Sequence, residues 1–262
     1  MITMRLSDRF KLAGVATVVH FVCSFVLAAV VAMAIFGIWY PYPYQDLSGG
    51  RELFSLVVVV DVVCGPLLTF VVFNPGKPRA ELWRDMFLVA LVQTAALGYG
   101  VYSVWAARPL YLVQEIDRFK VIGKPDLEGL AAQSELKQLT PSLRQRFWMG
   151  PQTVGIREPK NADEQASVLF ESVNSGRDFA ERPNFYLTYE GIVALKSLLR
   201  AKPLAVFLQK HSSQQEVAWK LATEKGADVA QWFYLPIVAR QDWVAVLDKQ
   251  GQIQGFLKGD GF

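Results

Sequence analysis

The sequence predicts a membrane protein: three transmembrane α-helices followed by an α+β (mixed α/β) extracytoplasmic domain. Three observations carry this expectation. Of the 262 residues 52% are hydrophobic, and the mean hydropathy is +0.22, too apolar for an ordinary soluble chain of this size. The apolar residues are unevenly spread: between Asp46 and Phe73 only Arg51, Glu52 and Asp61 are charged. Beyond Ala107 charges of both signs mix through roughly 155 residues, enough for one sizeable core. The expected division is a membrane domain, 1–106, and an extracytoplasmic domain, 107–262.

A bilayer core of about 30 Å needs about 20 apolar residues as a helix. Stretches at about 15–38, 53–73 and 86–105 qualify. The first is too long for a signal-peptide core of roughly 7–15 residues, although AMA at 32–34 mimics a cleavage site, so it is read as an anchor. Lysine and arginine set the orientation. Arg5, Arg9 and Lys11 precede the first span, and Lys77, Arg79 and Arg84 lie between the second and third. The loop between the first two carries only Arg51, offset by Asp46 and Glu52. The N-terminus is therefore expected in the cytoplasm and residues from about 107 outside. Arg108, Arg118 and Lys120 run against this, but long translocated domains largely escape the rule. Trp39, Tyr40, Tyr42 and Tyr44 after the first span, with Tyr102 and Trp105 closing the third, read as an outer aromatic belt, and Trp83 as an inner one.

In the distal part, YLVQEIDRFKVI (111–122) has strand composition with partial alternation. Residues 126–138, 162–174, 190–199 and 212–226 read as helices. Asn161 or Asp163 is the expected cap of the second, and a serine start and terminal glycine mark the last. PLAVFL (203–208) reads as a short buried strand. WFYLPIVAR, DWVAVLD and QIQGFLKG read as strands, the last two joined by KQG as a hairpin.

Chemistry-bearing motifs are sparse. Cys23 and Cys64 lie in the apolar runs, so the polar domain has neither a disulfide nor a thiol nucleophile. His20 lies in the first span. His211, beside Ser212 and Ser213, reads as an exposed residue at a helix start. No HExxH, GxSxG, P-loop or GxGxxG occurs. No basic block points to nucleic acid. Glu115 and Asp117 would share one face of a strand, where paired carboxylates can do acid–base work, but Arg118 and Lys120 beside them favour a solvated face.

Asp61 is the costly residue, since a carboxylate at a bilayer centre costs roughly 2.5–3.5 kcal/mol. It lies about 12 Å from the outer end of its span, with Tyr99 about 9 Å and Gln93 about 18 Å down the third. Either side chain is a candidate partner. The readings are an internal helix–helix hydrogen bond or a contact to a partner's membrane helix. Gly65-Pro66 in the same span frees a backbone carbonyl, and Gly98 and Gly100 with Ala95 and Ala96 admit a close second helix.

The stretches SGGRELFSLVVVVDVVCGPLLTFVVFNPGK, ELWRDMFLVALVQTAALGYGVY and ARPLYLVQEIDRFKVI resemble the TfpX/TfpZ family of type IV pilin accessory proteins of Gram-negative bacteria. The likeness runs through most of residues 5–122, including RLSDRFKLAG at the start and GIWYP after the first span. Distally it rests mainly on DWVAVLD. It implies a bacterial inner-membrane protein with a periplasmic C-terminal domain. Its partner would be the cognate type IV pilin (the major pilin), which it would stabilise or help assemble in the manner of a chaperone. Membrane lipid and the pilus assembly machinery are further expected partners. No enzymatic activity, cofactor, metal or nucleic acid is expected. Asp61, Gly65 and Pro66 match the family's intramembrane pattern, and Arg108, Glu115, Asp117, Arg118 and Phe119 its pattern after the third span. With Gln93 and Tyr99 these are the candidate contact residues. The last hairpin is a candidate for strand addition. The alternative is a membrane-anchored sensor of extracytoplasmic ligands, or an enzyme using Asp61 or Glu115 with Asp117.

Overall fold

A computed structural model describes residues 6–262 of the chain, so Arg5, counted above as a basic flank of the first span, lies outside the described residues. The chain forms two compact units: a helical unit of residues up to Ile38 and Gly50–Ala106, and a sheet unit of Trp39–Gly49 and Ala107–Phe262.

The first helix, α1 (Leu6–Ala34), continues through a π-helical turn, Ile35–Trp39. It stops there because Tyr40 precedes Pro41, and a residue before proline is steered out of helical geometry. A short α2 (Tyr44–Leu47) follows. Three segments run on as one helix: α3 (Gly50–Val58), a π-helical stretch Val59–Cys64, and α4 (Gly65–Val72). α5 (Arg79–Ala106) completes the unit. Arg9–Trp39, Gly50–Val72 and Arg79–Ala106 are long and apolar enough to cross a membrane. All three exceed the expected spans. Their outward faces carry Val15, Phe25, Leu56, Val71 and Phe87, each more than half exposed. Such a surface is costly in water and suited to lipid. Phe10 stacks on Phe70 at the unit's surface, and Phe36 meets the buried Phe54 edge to face. Gly100 lets the third helix approach Val57, whose Cγ2 lies 2.6 Å from where a Cβ would stand. Thr17, Thr94 and Ser103 return their hydroxyls to carbonyls one turn back, which satisfies these three donors within their own helices.

The sheet unit holds β1 (Pro109–Gln114), β2 (Phe119–Gly123), α6 (Leu130–Gln138), β3 (Gln152–Ile156), α7 (Ala162–Ser175), β4 (Tyr186–Thr188), α8 (Ile192–Ser197), β5 (Lys202–Pro203), α9 (Leu204–Lys210), α10 (Gln215–Lys225), β6 (Phe233–Val238), β7 (Trp243–Leu247) and β8 (Ile253–Lys258). The strands join in one mixed sheet of order β4-β3-β1-β2-β6-β7-β8, with β5 also on β6. β1–β3 and β2–β6 are parallel, and the remaining pairs antiparallel. Local signals are realised where they are self-sufficient. Asn161 caps α7, its side chain accepting from Glu164 N–H at 2.8 Å. Gly226 ends α10 at φ +62. Asp248 closes the β7–β8 turn by accepting from the N–H groups of Gln250 and Gln252.

Four expectations are corrected. Residues 111–122 are not one strand but a hairpin, with Glu115, Asp117 and Arg118 in its turn, where the Glu115 N–H donates to the Arg118 carbonyl at 2.8 Å. Residues 204–208 are helical, because Leu204, Phe207 and Leu208 recur at helical spacing and are the residues buried. Ser212 does not cap α10, since a 3-10 turn at Ser212–Gln214 intervenes. His211 is not an exposed residue, its ring lying 4.3 Å from that of Phe207.

The largest correction concerns the segment after the first span, read above as an interfacial belt. It is core. Tyr40 and Leu47 are 0% exposed and Tyr44 6%. Tyr44 and Leu47 pack with Leu112, Leu235, Ile237, Trp243 and Ala245 on one face of the sheet. Alternation along β1 and β7 sends Tyr111, Val113, Val244 and Val246 to the other face, against separate clusters that include Leu127, Ala132, Phe207 and Ala218. The segment is also stitched by backbone: Arg240 N–H donates to the Leu47 carbonyl at 3.2 Å. Gly49, at φ +75, turns the chain away beneath the Arg240 side chain, where a Cβ would lie 2.5 Å from Nη1.

Leu47→Ala is therefore expected to destabilise the sheet unit by about 2–5 kcal/mol, the cost of emptying a packed leucine site. Denaturant unfolding in detergent, followed by far-ultraviolet circular dichroism and tryptophan fluorescence, checks this. A merely interfacial segment would leave the midpoint unmoved.

Candidate functional site

Each unit carries one group of polar residues that its sequence neighbours do not explain. In the helical unit it centres on Asp61, which is 7% exposed and whose Oδ1 accepts no hydrogen bond from the described residues. The longer helix places it eleven residues from each end of Gly50–Val72 (61 − 50 and 72 − 61), at mid-span rather than in the outer half. Local sequence shapes the backbone here. The stretch 59–64 is π-helical, and in that wider pattern the Asp61 carbonyl would need the N–H of residue 66. Residue 66 is proline and has none. Gln93 supplies the donor from α5, its Nε2 lying 3.5 Å from the Asp61 carbonyl. Gly65 makes room, for a Cβ there would fall 1.6 Å from the same nitrogen. Asp61, Gly65, Pro66 and Gln93 thus form one device, but it is the backbone of Asp61, not its carboxyl, that meets Gln93. Tyr99 is 74% exposed, which leaves Gln93 as the member of the candidate pair brought to Asp61.

Two members were not foreseen. His20 Nδ1 and the buried Thr69 Oγ1 are 2.5 Å apart, joining the first and second helices. Counting depth from the cytoplasmic ends of the expected spans, five residues to His20 and four to Thr69, would have paired them.

In the sheet unit, the β1–β2 turn lines a cleft of about 620 Å³ with the segments around Arg157–Pro159, Asp178–Phe179 and Lys196–Arg200. Ile116 and Leu199, 74% and 80% exposed, are apolar residues on its wall. Its charges are mostly paired. Arg118 Nε donates to Asp117 Oδ1 at 2.7 Å, which holds the Asp117 carboxyl below its usual range. Arg157 grips Glu164 with two nitrogens at 2.9 and 2.7 Å. That grip, with the Lys160 N–H, brings the Glu164 carboxyl down to about 2. Lys196 donates to Glu158 at 2.8 Å. Glu115 differs. Burial pushes its carboxyl up from the ordinary value, Asp178 adds to the effect, and Lys120, itself bonded to Glu181, opposes it. Of the sequence candidates, Glu115, Asp117 and Arg118 line the cleft. Arg108 and Phe119 do not: Arg108 is 6% exposed, and Phe119 is 0% exposed against Tyr189 in the core. Arg108 lies at the other end of the hairpin from the turn, its carbonyl accepting from the Lys124 N–H at 3.2 Å. Among the described residues no three His, Cys, Asp or Glu side chains are grouped to hold a metal ion.

Three candidate membrane helices with a mid-span polar device, carrying a mixed α/β domain with an open charged cleft, define a membrane-anchored protein with a surface domain. Residues 8–49 match the family described as fimbrial assembly protein FimB, a stretch that covers most of the first helix and the segment buried in the sheet core. Over 258 residues, 97% of this chain and 98% of the relative, the chain is 35% identical to the fimbrial assembly protein, serogroup I, of Dichelobacter nodosus. The serogroup E1 protein of that organism matches to the same extent. The protein of serogroups C1 and C2 is 41% identical over 120 residues, 46% of this chain and 92% of the relative. No solved structure matches. The chain belongs to the fimbrial assembly protein FimB family.

The Gln93 device predicts non-additivity. Gly65→Ala pushes the Gln93 amide off the Asp61 carbonyl, so Gly65→Ala and Gln93→Ala remove one bond between them. A double-mutant cycle by thermal unfolding in detergent is expected to show a coupling of about 0.6 kcal/mol, and at most about 1.7. Strict additivity would show that the two sites are independent.

Glu115 predicts a pH dependence. A carboxyl raised on folding holds its proton more tightly in the folded state. Its contribution is present below the ordinary value of 4.5 and is lost as pH rises through the raised one. Glu115→Gln is therefore expected to melt higher than the wild type at pH 7 and to flatten this loss. Thermal melts from pH 4 to 8 read both effects, and an unchanged profile would contradict the burial argument.

Proposed function

We propose that the protein is a bacterial inner-membrane accessory factor of type IV pili, of the TfpX/TfpZ type, which binds its cognate pilin and stabilises it or promotes its assembly. The observation that carries this reading is the near full-length likeness to proteins described as fimbrial assembly proteins. The architecture suits the task. A pilin before assembly has an apolar helix in the membrane and a globular head outside. A protein with a helical unit and a surface domain can hold both.

In this reading the N-terminus is cytoplasmic, with Arg9, Lys11, Lys77, Arg79 and Arg84 on that side, and the sheet unit is periplasmic. The cleft at the β1–β2 turn is the candidate site for the pilin head, since it combines exposed apolar residues with charge. Strand addition at the edge strand β8 is a further route. One end of that edge is already used, Lys258 N–H donating to Gln214 Oε1 at 3.1 Å. Asp61 serves recognition within the membrane. Its carboxyl is buried with a bare oxygen, a state costly enough that retaining it argues for a use beyond stability.

The test is co-purification of the tagged full chain with the pilin of the same strain from mild detergent, with an unrelated pilin expressed equally as control. Selective capture is expected. Asp61→Leu is expected to keep protein level and melting temperature but to lose most of the capture, and Asp61→Asn to lose less. Equal capture of both pilins, or none, would end the reading.

A further inference from the structure

We infer that the loop 143–149 of the sheet unit is a lipid-facing element that sets Phe147 and Trp148 into the headgroup layer. The inference rests on the reading that the three helices cross a membrane, and is independent of any pilin. Phe147 and Trp148 are 58% and 66% exposed. They occupy the tip of a tight turn closed by Met149 N–H on the Arg146 carbonyl at 3.1 Å. Two adjacent exposed rings are a poor surface for water and a good one for the headgroup layer, which takes the apolar ring and the indole N–H together. Arg146 in the same turn is also exposed and suits lipid phosphate.

What covers these rings follows from where the loop is tied. Trp39 Nε1 donates to the Phe147 carbonyl at 2.8 Å, and the two rings meet edge to face at 5.3 Å. Trp39 is the last residue of the first candidate span. Gln145 Nε2 donates to the Leu110 carbonyl at 2.7 Å, and Tyr111 OH to the Leu143 carbonyl at 2.7 Å. Leu110 is four residues beyond Ala106, the last residue of the third candidate span (110 − 106), so it lies within about 15 Å of that helix end even if the chain is fully extended. Two crossings separate the two tie points along the chain, so both lie on one side of the bilayer. The loop is bound at both, and Arg144 braces its base through the carbonyls of Leu139 and Lys137 at 2.8 and 2.9 Å. A turn so fixed is held to residues that follow the first and third candidate spans closely in the chain.

Spin labelling tests this. Trp148→Cys is made in a full chain carrying Cys23→Ala and Cys64→Ala, two exposed positions. The labelled protein is placed in nanodiscs of phosphatidylethanolamine and phosphatidylglycerol. Collision with oxygen, which partitions into lipid, is compared with collision with a water-soluble nickel chelate. A label at Lys249, exposed in the β7–β8 turn, serves as reference. The expected result is an oxygen-to-nickel ratio at 148 well above that at 249. Equal ratios would place the loop in water and overturn the inference. A label shielded from both reagents would mean that protein covers the loop, and would overturn it too. Should Trp148→Cys not fold, judged by its melt, Arg146→Cys reads the same turn. Failure to enter discs at all would overturn the spans and the inference with them.

Discussion

The structure depends on one constraint: residues 39–49, which join the first two helices, are part of the sheet core. Tyr44 and Leu47 fill one face of the sheet against residues that lie some 65 to 200 positions later, from Leu112 to Ala245. This fixes the topology of everything between. Residues 50–106, which hold two of the candidate spans, are an excursion of the chain between two parts of the sheet unit. The domain cannot complete its core from residues 107–262 alone. A family match that covers most of the first helix and continues to residue 49 is what such a core leads one to expect.

Within the helices a second constraint runs from sequence to geometry in a few steps. Proline at 66 removes a donor, the backbone widens to a π-helical stretch, and the Asp61 carbonyl is left for a partner. Gln93 reaches it because Gly65 offers no Cβ. A polar side chain on a membrane helix is costly unless it is used, and here the amide compensates for the very defect that proline creates. The Asp61 carboxyl remains outside this compensation. The backbone explains why Gln93, Gly65 and Pro66 belong together. It does not explain the acid, and that separation is what directs the functional reading to Asp61.

What was legible in the sequence was what is local or set by length. The helices declared themselves by apolar runs, the α7 cap by Asn161, and the α10 end by Gly226. Gln93 was reachable because depth along a span is a matter of counting. Illegible features were non-local or lacked punctuation. Nothing in WYPYPYQDL distinguishes an aromatic belt from a buried segment, since both want rings beside a span. The hairpin at 109–123 was read as one strand because its turn, Glu115 to Arg118, contains neither glycine, proline nor asparagine. That turn brings Glu115, Asp117 and Arg118 to the cleft, so the misread strand hid their setting although the residues themselves were named.

The two sites illustrate one physical pattern. Asp61 and Glu115 are both carboxyls held where solvation is poor, whereas Asp117, Glu158 and Glu164 are each paired with a cation. A carboxyl so placed lowers stability with no packing gain. If the protein holds a pilin, as proposed, it needs groups whose best partner is not its own. A carboxyl left underserved in the free protein gains more from a donor arriving on a partner than a satisfied one would. It binds at the expense of the stability of the unbound state. Asp61 within the membrane and Glu115 in the cleft fit that logic at the two levels where a membrane-anchored client would present itself.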